Sequence, residues 1–337
     1  MTTHAPAPAL PDDAYVGGLA YHRLVFARRR IGWWTPLIVG LVGVGFYAAL
    51  LVIVVITIIV AGLLVPDFGA NLLSVDVTGS FDLADPFMLA VLLGTIVLML
   101  PAYLAASRLI NGPRLGLVSS AAGRIRWGWL LACTGLAIAV TAVVQGLSML
   151  LPTDLFGESS AEVLAPADNP MFGWTLLVLI VSVPFQAAAE EYVFRGYLMQ
   201  ALGRWLRHPI WAIVLPIPLF VLAHVYDVLG QASVAVFALV AGWLTWRTGG
   251  LEAAIAIHIV NNLLAFGMAA FGLADVNASG LGVLSLVSSV VMIAGYALVV
   301  DLVFRRRRMP RVLRFPTPPV PPAAALPGYA VISGPAS

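Results

Sequence analysis

Residues 33–64 contain no charged side chain. That run constrains the chain more than any other feature, because about 20 apolar residues already cross the hydrocarbon core of a bilayer. Comparable runs follow it. Eight spans are read, at approximately 33–64, 86–106, 127–150, 172–202, 209–228, 232–247, 252–272 and 280–304. The first is long for one crossing and carries Pro36 near its start, so part of it is expected to tilt or to lie in the interface.

Composition points the same way. Hydrophobic residues make up 61% of the 337, charged residues 10%, and the mean hydropathy is +0.98. A soluble domain carries about 25% charged residues. The runs are continuous rather than alternating, which excludes the strands of an outer-membrane barrel. The expected fold class is therefore all-α, a polytopic helical membrane protein of about eight transmembrane helices. A helical domain over residues 31–304 would be flanked by a segment 1–30 and a tail 305–337. The tail is basic at first and Pro- and Ala-rich from Pro316, a composition expected to be disordered.

Charge orients the chain. All 18 basic residues are arginine, and they gather in alternate connections. Arg23 and Arg28 to Arg30 precede the first span. Arg108, Arg114, Arg124 and Arg126 follow the second, Arg204 and Arg207 the fourth, Arg247 ends the sixth, and Arg305 to Arg308 follow the eighth. The remaining connections hold Asp and Glu instead. By the positive-inside rule both termini are expected in the cytoplasm, at the cell membrane. Residues 1–30 have no early apolar core, so no cleavable signal peptide is expected. Basic edges on a chain of net charge +2 suit contact with anionic lipids rather than nucleic acid. A single cysteine, Cys133, excludes a disulfide framework.

Chemistry in such a chain must lie in the membrane, where ionisable side chains are costly and commonly functional. The fourth span carries Glu190, Glu191 and Arg195. Glu191 and Arg195 are one turn apart and form a self-neutralising pair on one helix face. Glu190 is rotated by about 100° and lacks that partner, so it suits a general base for water. A helix-packing network of all three is the plainer alternative. In the fifth span, Phe220 is followed one turn later by His224, on a helix bent by Pro216 and Pro218; a hydrogen bond across helices would explain that histidine equally well. In the seventh span, His258 and Asn262 share a face and could stabilise an oxyanion, while Asn261 points away. Counted from the basic edge, Glu190 lies roughly 18 Å deep, His258 and Asn262 roughly 9–15 Å, and His224 about 22 Å. The three helices can thus meet in one half of the bilayer. Gln186 and Gln145 are read as packing residues, Asp227 as a rim residue and Glu252 as an N-terminal helix charge. His208 is read as solvated, and Asp301 as a partner of the terminal arginines.

Glu-Glu-x-x-x-Arg at 190–195, Phe-x-x-x-His at 220–224 and His-x-x-x-Asn at 258–262 together resemble the CPBP family of intramembrane endopeptidases. That family includes the type II CAAX prenyl proteases and bacterial members linked to bacteriocin self-immunity. The resemblance covers about residues 85–304. It implies a conical intramembrane cavity in which Glu190 and His224 activate water, His258 and Asn262 stabilise the oxyanion, and Glu191 and Arg195 keep the site in shape. The substrate implied is a membrane-associated peptide, of CAAX type or otherwise. No metal is expected, since the histidines lack the His-Glu-x-x-His spacing. Glu190, His224 and His258 nevertheless form a legitimate zinc set. A proton-coupled transporter, or a membrane protein that binds peptide or lipid without cleaving it, is the alternative that intramembrane Glu and His also allow.

Overall fold

The computed structural model describes residues 10–315 apart from 12, 66, 70–84, 152–165, 272 and 274–281. The Pro-rich tail from Pro316 lies outside the described residues. Among the described residues, seven helices are long and apolar enough to cross a bilayer. They are α1 (Thr35–Leu64), α2 (Pro86–Asn111), α3 (Trp127–Ser148), α4 (Phe172–Trp205), α6 (Val228–Thr248), α7 (Glu252–Ala270) and α8 (Val283–Arg306), and between α4 and α6 lies the shorter α5 (Pro209–Leu222). The architecture is that of a polytopic all-α membrane protein.

The fifth expected span, 209–228, needs correction. Its helix ends at Leu222, and 14 residues rise only about 21 Å, short of the hydrocarbon thickness of about 30 Å. Three prolines account for this. Pro209 opens the helix at a position where its missing N–H costs nothing. Pro216 and Pro218 then interrupt the hydrogen-bond ladder, so that the helix is broken around Leu215 and Pro216. Residues 223–227 are irregular, and α6 begins earlier than expected, at Val228, where the Asp227 carboxylate accepts from Gly230 N at 2.8 Å.

The bundle is organised around α7, whose N-terminal half from Glu252 to His258 is entirely buried. It packs against α3, α4 and α6, while α8 leans on α3 and α6 and α2 on α4. Small residues permit these approaches: Ala241, Ala253, Ala254 and Ala256 are all within the core, beside Phe220, Phe237 and Tyr296. By contrast α1 buries only Thr35, Pro36 and Val39, and turns Leu41, Val44, Ile53, Ile56 and Leu63 outward. It lies at the periphery against the second half of α2.

The segments before α1 and after α8 are more than loose ends. Leu19–Ala20 (β1) pairs antiparallel with Val312–Leu313 (β2), Leu19 opposite Leu313. The following 3-10 turn, Tyr21–Ala27, buries Tyr21 and Leu24 and packs on the last turns of α4. The Tyr21 hydroxyl donates to the Val118 carbonyl. Gly203 is needed for this approach, because a Cβ there would stand 1.7 Å from the His22 carbonyl oxygen. This end of the bundle carries the arginines and is called the basic end below.

An ion pair ties the basic end together. Arg126 Nε and Nη2 reach the two oxygens of Glu252 at 2.9 and 2.6 Å, and Arg126 Nη1 donates to Thr248 O at 3.0 Å. Glu252 thus occupies the first turn of α7, as expected of a helix-terminal charge, but also joins α7 to α3. The carboxylate is wholly buried, so removing it leaves a guanidinium without its counter-charge. Glu252→Ala is expected to destabilise the protein by about 3–5 kcal/mol, read as a lower thermal midpoint of the purified protein in detergent. An unchanged midpoint would show that the pair does not hold α3 to α7.

Candidate active site

Glu190 and Glu191 sit at the point where α4 changes its winding. The α-helical hydrogen bonding runs to Glu191, and residues Tyr192–Leu198 form a π turn before α-helix resumes at Met199. Such turns are rare and concentrate at functional sites. Here the π turn carries Arg195 into the protein interior, where it is buried.

Glu191 is the hub of the site. It has no exposed surface, and its Oε1 accepts from Arg195 Nη1 at 2.9 Å and from His258 Nδ1 at 2.8 Å. The expected pairing of Glu191 with Arg195 is present, and α7 is joined to it through His258. Arg195 is further held by the Ala238 carbonyl at 3.3 Å and by the Phe220 ring, 4.4 Å from its Cζ. A cation over an aromatic face in a desolvated setting contributes about 2 kcal/mol.

Glu190 faces the same histidine from the other side. Its Oε2 lies 3.5 Å from His258 Nε2 and is buried without a hydrogen-bond partner. Its Oε1, however, accepts from Gln186 Nε2 at 2.5 Å. The sequence expectation of an unpartnered Glu190 is therefore corrected for one of its two oxygens. Gln186, read as a packing residue, is part of the site: its Oε1 accepts from Asn262 Nδ2 at 3.0 Å. The signal that could have found it is spacing, since Gln186 stands one turn before Glu190 on the same face.

Together these contacts form two rungs between antiparallel helices. Glu190 and Glu191 of α4 meet His258 of α7, and one turn further from the basic end Gln186 meets Asn262. Asn261 adds a donor to Asn262 Oδ1 at 3.2 Å. His258 Nδ1 must donate, since its partner is a carboxylate oxygen.

His224 is placed differently from expectation. It lies beyond the end of α5 instead of within a helix, and its Nδ1 lies 2.8 Å from the Phe220 carbonyl, a contact that makes this nitrogen the donor and leaves Nε2 open. Its ring is 4.7 Å from that of Phe220 and 6.2 Å from that of Tyr226. Phe220 in turn stands 6.2 Å from His258. The Phe220 ring thus neighbours both histidines, and His224 borders the cluster without bonding to either glutamate. Among the described residues, no three His, Cys, Asp or Glu side chains are gathered where they could hold one metal ion. Glu190, His224 and His258 are therefore not gathered into one ligand set in this arrangement.

The other polar residues have structural partners. His208 Nδ1 accepts from Ile210 N at the start of α5, Gln145 meets the Met268 sulfur, and Asp301 pairs with Arg247 and Arg305, each at 2.7 Å. A narrow gap lined by Arg195, Phe220, Pro216 and Gly242 lies beside the cluster and does not include Glu190.

Comparison with known proteins bears on this same segment. A 99-residue stretch is 31% identical to the uncharacterised protein YyaK of Bacillus subtilis (strain 168), covering 27% of this chain and 33% of that protein. The chain thus spans about a third of the length of the curated relative it matches. No solved structure matches the chain. Residues 172–264, which carry Glu190, Glu191, Arg195, His224, His258 and Asn262, match the model of the type II CAAX prenyl endopeptidase Rce1-like family, and in this segment the chain is similar to those membrane proteases.

Proposed function

We propose that the chain is an intramembrane endopeptidase of the glutamate type. It hydrolyses a peptide bond in a membrane-associated, CAAX-like substrate near the cytoplasmic face of the cell membrane, with both chain termini on that side. The observation that carries the reading is Glu190: one oxygen is fixed by Gln186, while the other is buried, unpartnered and 3.5 Å from His258 Nε2. The match of this segment to the Rce1-like family supports a protease of this kind.

The step follows from that placement. A water held at Glu190 Oε2 gives its proton to that oxygen as its own oxygen attacks the scissile carbonyl carbon. Charge then develops on the carbonyl oxygen. Asn262 has a second amide N–H beyond the one given to Gln186. His258, held through Nδ1 by Glu191, supplies the second donor at Nε2 in its imidazolium form. Two donors fixed before the reaction suit an oxyanion. When the tetrahedral intermediate collapses, the C–N bond breaks and the proton on Glu190 passes to the leaving nitrogen. His224, with Nε2 open, borders this space beside Phe220 and orients the water. Glu191 and Arg195 hold His258 in place and do not touch the substrate.

The two adjacent glutamates are expected to behave differently. With purified protein in detergent and a fluorogenic farnesylated CAAX peptide, Glu190→Gln should lose cleavage by about 10²–10⁴-fold, the range for a general base, with an unchanged melting midpoint. Glu191→Gln should lower the midpoint itself, because it weakens the counter-charge of a buried arginine. Full activity in Glu190→Gln would remove that residue from the role of base. Asn262→Ala is expected to reduce kcat by about 10²–10³-fold with little change in KM, as for loss of one oxyanion donor; a rise in KM alone would assign Asn262 to substrate binding.

A further inference from the structure

Arg28 is a buried cation that the reading above does not use. It follows the Tyr21–Ala27 turn and is 6% exposed. Its Nη2 donates to Ser107 Oγ at 2.6 Å, whereas its Nε is buried with no hydrogen-bond partner. Arg126, Arg195 and Arg247 each meet a carboxylate. Among the described residues Arg28 has none. An unpaired charge held away from water is strongly unfavourable, so this guanidinium calls for an anion from outside the chain.

The surroundings define what kind. Arg28 lines a narrow, half-open cleft with Pro36 and Val39 of α1, Tyr103 and Asn111 of α2 and Gln200 of α4. Two more atoms on these residues are buried and unsatisfied, Asn111 Oδ1 and Gln200 Oε1. The Gln200 amide is oriented by its donation to Leu117 O at 2.9 Å. The cleft therefore combines a cationic donor with two carbonyl acceptors, the complement of an anion that also bears hydroxyl groups.

Its position in the bundle indicates the source of that anion. Trp33 and Trp34 are exposed just before α1, and Trp205 donates Nε1 to Trp33 O at 2.7 Å. Tryptophans at the ends of spans mark the level of the lipid headgroups. Arg29, Arg30, Arg108 and Arg114 are exposed at the same end, and basic clusters there attract anionic lipid.

We propose that the mouth of this cleft binds the headgroup of an anionic phospholipid with free hydroxyls, its phosphate meeting the outer edge of the Arg28 guanidinium and its hydroxyls turned toward the Asn111 and Gln200 carbonyls. Phosphatidylglycerol has that chemistry, whereas phosphatidylcholine has neither the net charge nor the hydroxyls. The site is separate from the Glu190 cluster and stands whether or not the chain cleaves peptides. The test uses the full chain in detergent, with thermal midpoints and native mass spectrometry in mixed micelles of phosphatidylglycerol or phosphatidylcholine, and a third arm with inorganic phosphate alone. Wild type should retain phosphatidylglycerol and melt higher in its presence, with no comparable rise for the other two additions. Arg28→Ala should retain it at least about tenfold more weakly, the loss of one charge-assisted contact, while the exposed neighbour Arg29→Ala should not. If Arg28→Ala does not fold, Asn111→Asp serves instead: its carboxylate partners Arg28 within the chain and should abolish the lipid-dependent rise in a folded protein. Equal retention by wild type and variants would overturn the proposal, and so would an equal, Arg28-dependent rise with inorganic phosphate, which would mark a free-anion site.

Discussion

The Glu191 carboxylate is the interaction on which the interior of this bundle depends. It is wholly buried and receives Arg195 and His258 on one oxygen. Charges this far from water cannot be left alone, and their mutual attraction is correspondingly larger than at a surface. Because Arg195 comes from α4 and His258 from α7, satisfying one carboxylate fixes the register of two helices. Arg195 reaches inward on a π turn, and Phe220 of α5 lies flat against its guanidinium. Three helices are thus positioned by a single charged group.

That arrangement frees Glu190 for a different use. With Glu191 committed to Arg195 and to His258 Nδ1, the imidazole turns Nε2 toward Glu190. Gln186 restrains one oxygen of Glu190 and the amide of Asn262 at once. A reactive carboxylate is most useful when its position is set by groups that do not consume all its lone pairs. The bare Oε2 of Glu190 meets that requirement, and so does the spare N–H of Asn262. The neighbouring carboxylates differ in surroundings because a helix rotates about 100° between them, not because of their own chemistry.

Hydropathy and spacing made much of this legible. Continuous apolar runs located α1, α3, α4, α7 and α8 closely, since backbone satisfaction in lipid leaves a helix as the only form such a run can take. The one-turn spacing of Glu191 with Arg195 became an ion pair, and that of His258 with Asn262 put both on the face of α7 that meets α4. What failed did so for identifiable reasons. Apolarity over 209–228 measures preference for lipid and is blind to the ladder broken at Pro216 and Pro218, so the span was read as whole and His224 as helical. Gln186 was passed over because a neutral amide in a span is usually a packing group; its meaning lay in its spacing from Glu190. The placement of residues 19–27 and 312–313 rests on long-range pairing of β1 with β2, which no local pattern encodes.

The lack of a carboxylate partner sets Arg28 apart from Arg126, Arg195 and Arg247 among the described residues. Arg195 is compensated by Glu191, Arg126 by Glu252 and Arg247 by Asp301, each from within the chain. The Arg126 and Arg247 pairs join helix to helix, the Arg195 pair lies within α4, and the net charge of each is close to zero. Arg28 is buried to a comparable degree, at the junction of the N-terminal turn, α1, α2 and α4, with two amide oxygens unsatisfied beside it. A chain so sparing of charge that places a guanidinium there without a carboxylate leaves the compensation to its solvent. At the level marked by Trp33 and Trp34, that solvent is the headgroup layer, where phosphate is the abundant anion. The polar interior is thus closed at the Glu190 cluster by residues alone, and at the basic end by residues together with lipid.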